Sequence, residues 1–317
     1  MDKQAYLFVL VFGQLLLLAL DLGERYRTRH TRTRRIRPAA LLFLVVTIIV
    51  YGGMQFGGLA LVPNAEQVLV MSQAFIDEAL GRGAGAGLDT WAIVLVGIAS
   101  FYFAGLGDYL FHRFASHSRP LWFSHENHHL TTDVSVYMPG LSVRPFAVIV
   151  VFPTMVITIF SVQLALGLSG YNGWHLMPVL YSIVIVQTSI LGITHSAFLR
   201  RRWWLHDMLR PLGIATPQEH WLHHTSDLEC NYGNFTTLWD RVFGTYVDPR
   251  SVDFAEHRAG LAYDQDYLGA ITLGKLKLPQ KMRQRFQLES FCYIEAADST
   301  VVRQLPRYNS TAGIDFR

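Results

Sequence analysis

Thirteen histidines occur in this 317-residue chain, and nine of them fall in four short stretches. His112 and His117 come first, then His125, His128 and His129, then His195, then His220, His223 and His224. The two triplets share the spacing H-x-x-H-H. With histidine at roughly 4% of positions, a given H-x-x-H-H arises by chance about 0.02 times in such a chain, so two copies are a signal. On a helix, positions i, i+3 and i+4 share one face, and each triplet can therefore aim three imidazoles at one point. Imidazole ligates iron, zinc and copper. Nine such ligands are too many for one ion and suit two. His112 and His117 lie roughly 140° apart on an ideal helix, so the helix that carries them must bend or end between them.

Those side chains need elements to position them, and composition says which kind. The chain is 51% hydrophobic and 16% charged, with a mean hydropathy of +0.24. Soluble domains carry nearer a quarter charged residues, so the composition is that of a membrane protein. Crossing the hydrocarbon core takes about 20 mostly apolar residues. Five stretches qualify: 5–22, interrupted by Gln14 and Asp21; 39–62, ending before Pro63; 91–111; 145–168; and 176–197. Residues 63–90 read as a loop with one short amphipathic helix, closing in the glycine-rich run at 81–87. Met1-Asp2-Lys3 opens without a cleavage pattern, and the first apolar stretch reads as a retained span. Cys230 and Cys292 form no C-x-x-C, so neither a disulfide framework nor a cysteine zinc site is implied. The expectation is an all-α integral membrane bundle of about four to five spans with a cytoplasmic helical cap. Residues 1–90 are N-terminal helices and loop, 91–247 the histidine-bearing domain, and 248–317 a polar cytoplasmic extension.

Orientation follows from Arg25, Arg27, Arg29, Arg32, Arg34, Arg35 and Arg37. Positive residues in short loops stay cytoplasmic. This places the N-terminus outside and, counting spans, gathers His112 to His129, His195 and everything from 198 onward on the cytoplasmic side. A nucleic-acid patch or an anionic-lipid site would use the same arginines, but the run is wedged between two spans. No nucleic-acid partner is expected.

Rival readings are weaker. His125-Glu126-Asn127-His128-His129 also satisfies H-E-x-x-H, the zinc-protease pattern with glutamate as base. The second triplet has Trp221 where that glutamate would stand, and one zinc with three ligands leaves six clustered histidines unexplained. Glu126 and His129 also form E-x-x-H, but carboxylate-bridged di-iron bundles need two such motifs and two further glutamates. A metal store or transporter predicts polar positions along the spans, which the second and fourth lack. His30, His175 and His257 read as ordinary surface or hydrogen-bonded histidines, and so does His206, beside Trp203 and Trp204. His195, in an apolar span, is costly there and reads as functional. Trp203, Trp204 and Trp221 read as membrane-interface anchors.

The sequence between about 105 and 247 resembles the fatty acid hydroxylase superfamily, also called the sterol desaturase family. The resemblance rests on Asp108-Tyr109-Leu110-Phe111-His112-Arg113, Leu121-Trp122-Phe123-Ser124-His125-Glu126-Asn127-His128-His129 and Leu141-Ser142-Val143-Arg144. It continues through Thr194-His195-Ser196, Thr216-Pro217-Gln218-Glu219-His220-Trp221-Leu222-His223-His224, Asn231-Tyr232-Gly233-Asn234 and Trp239-Asp240-Arg241-Val242-Phe243-Gly244-Thr245-Tyr246. One departure stands out: the superfamily usually spaces its first pair H-x-x-x-H, and here one more residue separates His112 from His117.

That resemblance implies a helical membrane enzyme with a di-metal centre, generally two iron ions, on the cytoplasmic side. Such enzymes use O2 and two electrons to hydroxylate or desaturate a fatty acyl or alkyl chain or a sterol. Zinc can replace iron in purified protein, since imidazole accepts both. Asp108, Asn231 and Asp240 are candidates for holding the imidazoles from behind. Arg144 and Arg241 are candidates for a carboxylate or a lipid headgroup. No cytochrome b5, flavin or iron–sulfur pattern is visible, so a separate electron donor is expected.

Overall fold

A computed structural model describes residues 3–28, 65–81, 85–118, 147–225 and 229–254 as continuous segments, with scattered residues besides, among them His125, Glu126, His128, His129 and Val134 to Val136. Nearly all of the 39–62 stretch, Arg29, Arg32, Arg34, Arg35 and Arg37 of the arginine run, Arg144 and most of the C-terminal extension lie outside the described residues. Among the described residues five longer helices carry the architecture: α1 (Lys3–Arg27), α2 (Ala65–Leu80), α3 (Thr90–Phe111), α4 (Ala147–Leu168) and α5 (Leu176–His195). Three short ones follow: α6 (Trp203–Leu209), α7 (Pro217–His223) and α8 (Leu238–Val242). Among the described residues there are isolated bridges and no strands, as an all-α reading requires.

Asp89 caps α3 by accepting the Ala92 N–H at 2.7 Å. The helix then runs on into a π-helical turn at His112–Ser116. Thr90–Ser116 is the one described helix long and apolar enough to cross a membrane. Pro153–Leu168 and Ser182–His195 are shorter apolar helices. The expected multi-pass count is therefore not reached by the described residues. The turn joining α4 to α5 is pinned to the segment before α3, where Ala86 N–H donates to the Gly170 carbonyl at 3.1 Å and Asn172 N–H to the Ala86 carbonyl at 3.0 Å.

Packing between α2, α4 and α5 centres on Val68, Leu69, Ile159, Leu166, Leu176 and Val179. Helices in lipid gain little from excluding water and associate through close packing and interhelical hydrogen bonds. Both occur here. Ser72 donates to Gln163 Oε1 at 2.5 Å, and Gln163 Nε2 donates to the Leu69 carbonyl at 3.0 Å. Gly105 lets the loop before α8 close on α3, since a Cβ there would land on Thr236 Cγ2.

The two polar interruptions of the first apolar stretch turn out to be anchors on α5. Gln14 Nε2 donates to the Thr188 carbonyl at 3.0 Å. Asp21, only 1% exposed, accepts four hydrogen bonds: from Ser196 Oγ (2.6 Å), Val136 N (2.9 Å), Ala197 N (3.1 Å) and Phe198 N (3.1 Å). Three of these donors directly follow His195. One turn further along α1, Glu24 pairs with Arg27 and with Arg201 at 3.0 Å. Asp21→Ala strands these donors and is expected to destabilise the fold by roughly 2–4 kcal/mol, the range for buried polar groups left unpaired. Thermal unfolding of the detergent-purified variant checks this.

Candidate metal centre

The ends of α3 and α5 and the helix α7 meet at one place, and the first triplet joins them. His112 and His117 leave the end of α3 through the π-helical turn, whose closing bond runs from His117 N–H to the His112 carbonyl at 3.2 Å. An i→i+5 turn brings residues five apart onto one face. The ring centroids of His112 and His117 accordingly lie 4.7 Å apart. The bend that their spacing demanded is thus a widened turn, and the extra residue costs no alignment.

The structure gathers all nine clustered histidines into two groups. His112, His117, His125, His129 and His223 form the first, and His128, His195, His220 and His224 the second. Within each group the ligating nitrogens lie within 4.8 Å of one another. This corrects the expectation that each triplet aims at one point. The first triplet sends His125 and His129 to the first pocket and His128 to the second. The second sends His223 to the first pocket and His220 and His224 to the second. The i+3 member crosses over in both. Side chains at i and i+4 lie closest along a helix, and the i+3 position diverges enough to reach the neighbouring ion site.

Nitrogen positions test whether a metal fits. His112 Nε2 lies 2.9 Å from His125 Nε2, which lies 3.1 Å from His129 Nε2. In the second pocket His195 Nε2 is 2.9 Å from His220 Nε2, and His224 Nε2 is 3.1 Å from His220 Nε2. Two nitrogens each about 2.1 Å from one ion and at right angles would sit about 3.0 Å apart. His223 Nε2 is buried in the first pocket and has no hydrogen-bond partner. Burial, reinforced by neighbouring imidazoles, holds His117, His125, His129, His220, His223 and His224 well below the usual histidine range. Neutral rings carry the lone pairs a metal needs.

Backbone carbonyls set the tautomers. His195 Nδ1 donates to the Leu191 carbonyl at 2.7 Å, His223 Nδ1 to the Cys230 carbonyl at 3.0 Å, and His112 Nδ1 to the Tyr232 carbonyl. A proton on Nδ1 leaves Nε2 free to ligate. Asp240 stands behind the Tyr232 carbonyl, accepting from Tyr232 N (2.7 Å), Gly233 N (2.9 Å) and Thr245 Oγ1 (2.8 Å). Burial pushes its carboxyl up to about 6. Asp108 accepts from the backbone and side-chain nitrogens of Asn234 at 2.8 and 2.9 Å, and that amide lies 3.2 Å from His112 Nδ1. Asn231, at φ +52°, bridges the Glu219 carbonyl and Val247. Asn is one of the few residues that tolerates that conformation.

The α7 helix owes its start to a capping box that sequence reading overlooked. Thr216 and Glu219 cap each other reciprocally, with Pro217 in the first turn. The pattern Thr-x-x-Glu was visible one residue before His220. Glu219 is buried, which pushes its carboxyl up to about 7, and it accepts from Tyr246 at 2.8 Å. Arg241 approaches Glu219 at 4.0 Å and donates to the Arg210 carbonyl at 2.9 Å. His206 Nδ1 bonds Thr216 Oγ1 at 2.9 Å, a scaffold role outside both groups. Glu126 is buried but belongs to neither group. His257 belongs to neither either, His30 lies outside the described residues, and so does the side chain of His175.

Residues 97–245 match the fatty acid hydroxylase family. Among curated proteins it is similar to alkylglycerol monooxygenase of Danio rerio, 28% identical over 169 residues, covering 50% of this chain and 30% of that protein. The Xenopus tropicalis alkylglycerol monooxygenase is 25% identical over 168 residues, again covering 50% and 30%. The fatty acid hydroxylase vlmA of a Lecanicillium species is 28% identical over 156 residues, covering 48% of this chain and 40% of its own. The chain thus matches well under half the length of these relatives. No solved structure matches.

Two expectations follow from this geometry. Stripped of metal, the folded protein keeps its cage histidines neutral, while the unfolded chain protonates them near pH 6.5. The unfolded state then binds more protons as pH falls below about 6.5, so stability is intact above that value and lost below it. Melting of chelated protein at pH 7.5 and 5.5 is expected to show a lower midpoint at 5.5. Separately, His195→Ala removes one of four ligands in the second pocket, whereas His206→Ala removes none. Metal content is expected to fall from about two to about one ion per chain in the first variant alone, read by elemental analysis.

Proposed function

We propose that the two pockets hold two iron ions and that the protein is a membrane-bound oxygenase using O2 and two electrons to hydroxylate, or desaturate, a lipid. The observation that carries this reading is the division of nine imidazoles into groups of five and four with their Nε2 atoms converging. An all-imidazole shell suits iron and also accepts zinc, so zinc in purified protein is compatible with the reading. The metals, when bound, supply O2 activation strong enough for an unactivated C–H bond. The chain's part is to hold neutral ligands in place. The carbonyls of Tyr232, Leu191 and Cys230 fix three rings, and Asp240 and Asp108 fix the loop that bears Tyr232 and Asn234.

Relatives named for alkylglycerol and fatty acid favour a chain lipid over a sterol ring. The lipid would enter from the bilayer along the apolar surface of α3, with Arg241 or Arg144 as headgroup partners. The histidine groups and the C-terminus would then face the cytoplasm, the N-terminus the outside, and a separate electron donor would supply reductant. A zinc protease built on His125, Glu126 and His129 is disfavoured, because those two histidines share their pocket with three more.

The test is lipid profiling of an expression host with and without the gene, repeated with His128→Ala. A lipid that gains one oxygen atom marks a hydroxylase, and one that loses two hydrogens marks a desaturase. Both signals are expected to vanish in the variant. An unchanged lipid profile from protein shown to carry two irons would sink the proposal.

A further inference from the structure

One side of the first pocket is not histidine. The Tyr232 ring, 2% exposed, has its centroid 5.4 Å from that of His223, 5.6 Å from His117 and 6.2 Å from His112. On its other side stands Tyr109, edge-on at 6.2 Å and fully buried. Tyr109 in turn stacks on Phe243 at 5.2 Å with the planes 10° apart, and Phe243 is 47% exposed. A continuous row of aromatic rings thus runs from the imidazoles to the protein edge. Two of its members are phenols, which oxidise far more readily than phenylalanine.

The hydroxyl of Tyr109 is wired for proton loss. It accepts from Arg113 Nη1 at 2.6 Å and lies 3.0 Å from Thr245 Oγ1. Thr245 gives its own proton to Asp240 Oδ1 at 2.8 Å. With the threonine proton committed to Asp240, the phenol donates to the threonine. The chain of bonds runs one way, from Tyr109 through Thr245 to a buried carboxylate. A phenol that can shed its proton as it loses an electron avoids the costly cation radical. Packing alone would be met by phenylalanine at both positions, and it explains neither this donor chain nor a phenol buried beside the cage.

We propose that Tyr232 and Tyr109 form an oxidation relay that drains an oxidising equivalent from the first pocket to the edge at Phe243 and Arg113 when no lipid is in place. The proposal rests on the oxygenase reading above. One electron passes from Tyr109 by way of Tyr232 to the oxidised metal pocket. The Tyr109 O–H bond breaks, its proton goes to Thr245, and the threonine's proton goes to Asp240, leaving a neutral tyrosyl radical. A cellular thiolate returns one electron at the exposed edge and becomes a thiyl radical, the protons retrace their path, and two thiyl radicals couple to a disulfide. The relay spares the histidine cage from its own oxidant.

The test uses full-length, iron-loaded protein in detergent, reduced without oxygen and then exposed to O2 with no lipid. O2 uptake, low-temperature electron paramagnetic resonance and peptide mass mapping are read together. The expected result is an organic radical that narrows when the protein is made with ring-deuterated tyrosine and that is suppressed by added lipid. Tyr109→Phe and Tyr232→Phe are expected to lose that radical and to show several-fold more oxidation at His117 and His223. The deuterium narrowing is read in the unsubstituted protein, so it stands even where a variant folds poorly. O2 uptake without a tyrosine radical overturns the relay and leaves the oxygenase reading intact. A radical that persists in both variants with two irons bound overturns the relay as well. Absence of O2 uptake from protein with two irons bound overturns the oxygenase reading and the relay with it.

Discussion

Imidazole nitrogens that both carry lone pairs repel each other unless a proton or a cation lies between them. In this fold imidazole Nε2 atoms stand 2.9 and 3.1 Å apart, in two neighbouring pockets. Burial denies each ring a second proton, because a charged imidazolium in a buried site is expensive. A cation between them satisfies several such nitrogens at once. The rest of the structure serves to impose this crowding. The π-helical turn swings His117 alongside His112, the capping box starts α7 on time, and Asp21 clamps the chain as it leaves His195. Released from these restraints, the rings would rotate away or take up protons.

Supports of this kind are graded by distance from the pocket. Closest are backbone carbonyls, which accept from Nδ1 and set which nitrogen faces inward. Behind them stand Asp240 and Asp108, holding the loop that supplies the Tyr232 carbonyl and the Asn234 amide. Farther out are Asn231 and the Thr216–Glu219 pair, which fix the helix carrying His220, His223 and His224. Each layer is hydrogen-bonded, so rigidity passes inward to groups that, among the described residues, consist of histidine alone. Metal affinity in such a centre depends on the outer layers as well as the ligands.

Identity was readable in the sequence and allocation was not. Histidine spacing picked out the two triplets, because i, i+3 and i+4 are neighbours on any helix, and His195 stood out as a polar residue in an apolar stretch. It could not show that His128 and His223 leave their own triplets, since that depends on where the opposing helix stands. The five-residue gap between His112 and His117 demanded a distortion, and a π-helical turn is the form it takes. Asp21 and Gln14 looked like flaws in an apolar stretch because their partners on and after α5 lie more than 170 residues away. The Thr216–Glu219 box was legible and overlooked. The carbonyls of Leu191, Cys230 and Tyr232 were never legible, because a backbone oxygen has no side-chain signature.

The division of nine imidazoles into five and four has a chemical meaning. A metal that takes about six ligands keeps one position open with five imidazoles and two with four. Oxygen chemistry needs such openings, and a structural metal site closes them. The crossing of His128 and His223 ties the pockets together, since each triplet contributes to both groups. Displacing one helix therefore disturbs both pockets. The segments that bring the triplets together come from opposite ends of the domain, on either side of α4 and α5. Assembly of the histidine cluster and closure of the fold are on this account a single event.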